Sequence, residues 1–243
     1  MHILFALHQF FPNGYFGTER LVLNLCKQMQ KCGHRVTVLT YCNTEPNGYV
    51  NDGKFLKKQY IYQGVSVISI RHKVIPDLID FTIFDEDMIT YLNILFAEDT
   101  FDLVHVCHPM RIGSVIPFAH FKEIPIIITL TDFWLICPRG IAITLDGSLC
   151  IGSRDGIKCS QHCYQAPNWK TEQLQTRFHQ VRMVLEYVNT IVSGTQFLKK
   201  MFEKTFILNF DKSTSIYKEE EKLDAPGQNQ GGFRMMTSMM GGG

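Results

Sequence analysis

Three groups of residues have the types and spacing to do chemistry. The loop Pro12-Asn-Gly-Tyr-Phe-Gly-Thr-Glu19 carries two glycines ahead of a helical pattern. A loop of that kind presents backbone N–H groups and a positive dipole end to an anion, which makes Gly17 and Thr18 candidate phosphate contacts. A plain turn with Thr18 as helix N-cap is the competing reading, and the missing G-x-G-x-x-G fingerprint argues against a nicotinamide enzyme. His105-Val-Cys-His108 closes an apolar run, and an imidazole leaving a strand can donate to a substrate or move a proton near neutral pH. His105, inside the run, reads more readily as a core histidine; His108, at the exit, reads as functional. Asp132 follows the next apolar run, placed to cap the turn at Trp134 or to bind a substrate hydroxyl. Cys137, Cys150, Cys159 and Cys163 form a C-x12-C-x8-C-x3-C array within one loop, with His162 as a substitute ligand. Four thiolates can surround a tetrahedral zinc and order such a loop, whereas the lack of a C-x-x-C pair favours ordinary reduced thiols.

The elements that must position these residues follow from hydrophobic period. His2–Leu7 is a short apolar run ended by the Pro12 to Gly17 punctuation, and Leu21, Val22, Leu25 and Met29 then recur at helical spacing up to Gly33. Arg35–Tyr41 is β-branched and completes a βαβ unit. The alternation continues with strands at 64–70, 102–106, 125–130 and 189–193 and helices at 85–97, 112–121, 171–188 and 196–203. Strands apolar enough to be buried on both faces predict a parallel sheet, hence an α/β, Rossmann-like, doubly wound fold over residues 1–217. Residues 137–164 form a Cys-bearing loop, and 218–243, rich in Glu, Gly, Gln and Met without apolar period, read as a disordered tail.

Composition bounds the function class. Lys plus Arg number 24 against 23 Asp plus Glu, so no basic field exists to hold nucleic acid. At 45% hydrophobic and 19% charged, the chain is too apolar for global disorder. Its richest apolar run, Ile124 to Thr131, is stopped by Asp132 well short of the roughly 20 residues that a membrane-spanning helix needs. The opening Met1 to Leu7 has neither the basic start nor the cleavage site of a signal peptide, so a cytoplasmic location with reduced thiols is expected.

The same residues resemble a known family. His8-Gln-Phe-Phe-Pro12, Gly17-Thr-Glu-Arg, Leu25 to Gly33-His34 and Val36-Thr-Val-Leu39 are similar to the opening of glycosyltransferase family 4. Asp102-Leu-Val-His-Val106, Thr129-Leu-Thr-Asp-Phe-Trp134 and Leu135-Ile-Cys-Pro-Arg-Gly140 with the downstream cysteines resemble one subgroup of it. The resemblance implies the N-terminal, acceptor-side half of a retaining GT-B enzyme. Such an enzyme moves a hexosyl group from a nucleotide-diphospho-sugar to a saccharide or lipid-linked acceptor of the cell envelope, at the inner face of the membrane. It implies a nucleotide-sugar co-substrate and no further cofactor for the chemistry, with structural zinc as the one optional metal. Gly17 and Thr18 would approach the donor diphosphate; His105 and His108 cover the histidine-bearing strand end, and Asp132 the acidic position after the next strand. Three positions depart from the pattern. Phe16 precedes Gly17 where relatives often have a Gly-Gly pair, Cys107 stands where many have histidine, and so does Thr131. Nothing after residue 217 resembles the donor-binding half or its paired-glutamate motif, so the chain is expected to be inactive alone and to work with a separate donor-binding domain or chain. A non-catalytic binding or partner-docking domain is the alternative.

Overall fold

The computed structural model describes residues 1–44, 46–150, 152–163, 171–206 and 213–215. A nine-stranded sheet forms the centre, in the order β3-β4-β5-β2-β1-β6-β7-β8-β9. β1 (His2–Leu7) lies in its middle with every residue buried. Because successive side chains point to opposite faces, β1 feeds two cores at once. Ile3, Phe5 and Leu7 pack with Val22, Leu23 and Cys26 of α1 (Gly17–Lys31), while Leu4 and Ala6 join the larger core on the other face. That larger core receives Met88, Leu92 and Leu95 of α2 (Glu86–Glu98), Ile116 and Phe118 of α3 (Val115–Phe121) and Phe178, Val181 and Leu185 of α5 (Thr171–Tyr187). Helices on both faces are what strands without a polar side require.

From β1 the chain passes through α1 to β2 (Arg35–Tyr41), which pairs in parallel with β1 and with β5 (Val65–His72). It then returns through α2 to β6 (Leu103–Val106) on the other side of β1, and continues to β7 (Ile126–Leu130) and β8 (Thr190–Ser193), all parallel. β9 (Ser213–Ser215) adds a parallel edge after α6 (Gln196–Phe206). Strand order therefore reverses between β1 and β6, and in open α/β sheets ligands bind beyond the strand C-termini at such a point.

The structure corrects the expectation of a wholly parallel sheet at one edge. β3 (Val50–Asp52) and β4 (Phe55–Tyr62) form a hairpin that runs antiparallel onto β5. Charged Lys57 and Lys58 within β4 are tolerable because Lys57 is paired with Asp52 and Glu98 and Lys58 donates to Asn47 O. Thr18 is not an N-cap: it is the second residue of α1, whose N-cap is Phe16 with no side-chain cap bond. The Cys-bearing loop also holds structure of its own, an isolated bridge between Ile143 and Leu149 and a short α4 (Ile157–His162). Gly156 precedes α4 at φ +87°, and an added Cβ there would stand 2.6 Å from Leu174 Cβ, so glycine is what lets α4 pack on α5. The tail from residue 218 lies outside the described residues, as do 164–170 of the Cys-bearing segment and its surroundings.

Two polar ties lock the scaffold near the reversal. Asp85 caps α2 through Met88 N at 3.1 Å, and its other oxygen lies 2.8 Å from His72 Nε2, whose Nδ1 meets Tyr41 Oη at 3.0 Å. Arg177, buried on α5, donates to the carbonyls of Trp134 and Leu135 and lies 4.5 Å from the Trp134 ring, which pins the turn after β7.

Candidate functional site

Four strand exits meet the N-terminus of α1. Leu7 hands on to His8, Val106 to Cys107 and His108, Leu130 to Thr131 and Asp132, and Ser193 to Gly194. A cleft of about 740 Å³ lies among His8, Thr131, Asp132, Gly194 and the first turn of α1, a size in the usual range for small-molecule sites.

His108 and Asp132 come together there although 24 residues separate them. Met110 N donates to His108 Nδ1 at 3.3 Å, so Nε2 carries the hydrogen that it donates to Asp132 Oδ2 at 3.0 Å. Asp132 Oδ1 accepts from Trp134 N at 2.8 Å. The imidazole is buried at 4% exposure, whereas the carboxylate side chain is 41% exposed. His108 thus aims Asp132, and Asp132 is the member of the pair presented to a ligand. It can accept hydrogen bonds from hydroxyls or face a developing positive charge.

His8 and Glu19 join this pair without having been singled out from the sequence as site residues. The rings of His8 and His108 lie 4.0 Å apart. Burial, followed by His108 and Arg111, holds the His8 pKa down to about 2, so this imidazole is neutral at physiological pH. Glu19, in the first turn of α1, is fully buried; its Oε1 is 3.8 Å from His8 Nε2, and neither carboxyl oxygen accepts a hydrogen bond. The available signal was position: His8 immediately follows β1, and Glu19 is one helical step past Gly17 and Thr18.

The other sequence candidates fall as follows. Gly17 and Thr18 line the cleft as the first two residues of an uncapped helix, so their N–H groups have no intrahelical acceptor. His105 lies within β6 opposite Phe5, and its Nε2 meets Thr129 Oγ1 at 2.8 Å; burial lowers its pKa to about 4. It reaches the cleft only through Thr129, which lines it. Cys107 turns the other way, fully buried in the α1-side core, with burial and then Cys26 pushing its thiol pKa up.

Cys137 and Cys159 are buried and Cys150 and Cys163 half-buried, all as free thiols. Burial, then Cys137, Cys150 and Cys163, pushes the Cys159 thiol up to about 12, so the four are electrostatic neighbours. Among the described residues, however, no three His, Cys, Asp or Glu side chains converge to hold a metal ion. The expected zinc centre at Cys137, Cys150, Cys159 and Cys163 is therefore unsupported: Cys150, Cys159, His162 and Cys163 line one surface pocket that Cys137 does not share. No described helix is long and apolar enough to cross a membrane.

A sequence profile of Glycosyltransferase Family 4 matches residues 16–218. No curated protein matches the sequence. Among solved structures, sucrose-phosphate synthase from Thermosynechococcus elongatus is similar at 12% identity with a TM-score of 0.51, over 88% of this chain and 47% of that one. A UDP-forming alpha,alpha-trehalose-phosphate synthase from Burkholderia xenovorans, solved in complex with glucose-6-phosphate, is 8% identical with a TM-score of 0.45, over 84% of this chain and 42% of its own. The chain thus spans less than half the length of either.

Proposed function

Because the chain belongs to glycosyltransferase family 4, we propose that it supplies the acceptor side of a retaining GT-B glycosyltransferase. The reaction moves a hexosyl group from a nucleotide-diphospho-sugar to a saccharide or a lipid-linked glycan. The observation that carries this reading is the His108–Asp132 pair at the sheet's reversal point, facing an uncapped helix N-terminus across one cleft.

In this reading Asp132 receives the acceptor's hydroxyls and faces the positive charge that grows on the sugar as its bond to the diphosphate lengthens. His108 holds the carboxylate in that pose and is a positioning residue. Gly17 and Thr18 turn first-turn N–H groups toward the diphosphate. Phe16, standing where relatives often have glycine, is 64% exposed and lines the cleft rim beside Gly17. His105 acts from behind, fixing Thr129 in the cleft wall. A departing diphosphate also needs cationic or dipolar contacts from the facing wall, supplied by a donor-binding domain, so these 243 residues do not turn over alone.

The test is donor hydrolysis. The chain incubated with UDP- and GDP-hexoses releases no free sugar, and a steady release would overturn the one-wall reading. In an enzyme with both walls, Asp132→Asn lowers kcat by about a hundredfold with KM little changed, the signature of a contact made in the transition state.

A further inference from the structure

The polar residues around the cleft, His8, Gln9, Thr18, Glu19, Thr129, Thr131 and Asp132, include two with carboxyl groups, and no described lysine or arginine lines it. The arginines of the flanking segments each hold a partner outside the cleft. Arg20 donates to Tyr15 O at 3.2 Å, Arg111 binds Asp80, Arg139 donates to Ile143 O at 3.0 Å, and Arg177 holds the Trp134 and Leu135 carbonyls. Phosphorylated ligands are ordinarily held by such cations or by unopposed N–H groups. The N–H groups at the start of α1 can serve a donor diphosphate in that way, and Glu19 lies in the same turn with a fully buried side chain.

Glu19 sharpens the point. Its fully buried side chain puts a second carboxyl, and no cation, behind the cleft wall. Neither Glu19 oxygen accepts a hydrogen bond, and His8 Nε2 stops short at 3.8 Å. Asp132 keeps lone pairs free beyond its bonds to His108 and Trp134. Sugar hydroxyls are donors, whereas a phosphate monoester near neutral pH offers mainly acceptors and negative charge. Exposed Phe16 and Leu21 on the same rim offer apolar surface to the C–H face of a sugar ring.

We propose that the cleft takes an uncharged saccharide acceptor, its hydroxyls donating to Asp132 in front of the buried Glu19, and discriminates against sugars phosphorylated on the ring that enters. This rests on the glycosyltransferase reading and deepens it by naming the acceptor's charge class. The donor's diphosphate has its own contacts at Gly17 and Thr18; the acceptor ring enters beside the two carboxyls.

Saturation-transfer NMR on this chain at pH 7.5 tests the inference with maltose, methyl α-glucopyranoside, glucose 6-phosphate and UDP-glucose as probes. The neutral sugars are expected to bind about tenfold more tightly than glucose 6-phosphate. Glu19→Gln and Asp132→Asn should each shrink that preference at least threefold. Asp132, being part-exposed, gives a variant that folds even if the buried Glu19 change does not. Equal or tighter binding of glucose 6-phosphate overturns the inference and leaves the glycosyltransferase reading standing. Silence of the three saccharides while UDP-glucose still binds does the same, and silence of all four overturns both.

Discussion

Acidification from pH 6.5 to 4.5 should destabilise this chain through two histidines that fold in the neutral state. In the unfolded chain both titrate near 6.5; in the folded chain the His8 pKa is held to about 2 and that of His105 to about 4. Between 6.5 and about 4 the unfolded state therefore binds protons that the native state refuses. Stability is full above pH 6.5 and falls as the pH drops through that window, with His8 alone continuing the loss below pH 4. Each pH unit costs about 1.4 kcal/mol per site, so at pH 4.5 the two together cost about 5 kcal/mol as an upper limit. That is a large share of the roughly 5–15 kcal/mol that holds a domain together. Urea unfolding followed by tryptophan fluorescence at pH 7.5, 6.5, 5.5 and 4.5 measures it. Carboxylates also titrate near the lower end, so the informative quantity is the difference in slope between the parent and His8→Gln or His105→Asn. Each variant should flatten the curve by close to one proton. A parent whose stability is level down to pH 4.5, or variants with the parent's slope, would refute the reasoning.

Other expectations follow from the packing and the polar ties. Asp85→Ala removes the α2 cap and strips His72 of its carboxylate, and should cost about 1–3 kcal/mol in urea melts. Gly156→Ala should destabilise more than a surface substitution, through both its φ of +87° and the 2.6 Å approach to Leu174; a change in Tm of under one degree would count against that packing. In the native protein Ellman's reagent should reach the exposed Cys32 first, Cys150 and Cys163 more slowly, and buried Cys26, Cys42, Cys107, Cys137 and Cys159 only on denaturation. Metal analysis of protein purified without chelator should find no stoichiometric zinc, and one equivalent lost together with protection of Cys150 and Cys163 would show that the four thiols rearrange around a metal.

Much of the sheet was legible because buried strands and amphipathic helices leave strong periods. His2–Leu7, Arg35–Tyr41 and 125–130 could hardly be anything but central strands, and Leu21 to Met29 hardly anything but a helix. β4 escaped because a strand next to the sheet's edge needs no continuous apolar face: Lys57, Lys58 and Gln59 interrupt it. α4 escaped because six residues carry less than two turns of pattern. For the site, the strand exits at His108 and Asp132 were readable, but their 3.0 Å contact depends on β6 pairing with β7 in register, a non-local fact. Glu19 was hidden by its ordinary place in the sequence, since an acidic residue in a first helical turn usually complements the dipole from the surface. Only the packing of α1 against β1 reveals that it is buried. The cysteine array left zinc and plain thiols open, because nearness along the chain does not by itself make side chains converge, and among the described residues no three ligands do.

The central claim is that the edge formed by β1, β6 and β7 handles the sugar. Its most direct test is the imidazole NMR spectrum of the histidine-labelled chain, titrated with maltose and with UDP-glucose. The account predicts shifts at His8, which lines the cleft, and at His108, which is bonded to Asp132 and lies 4.0 Å from His8, and none at His72, which is tied to Asp85 and Tyr41 on the other side of the sheet's centre. Ligand-induced shifts confined to other histidines, with His8 and His108 unmoved at saturation, would contradict it.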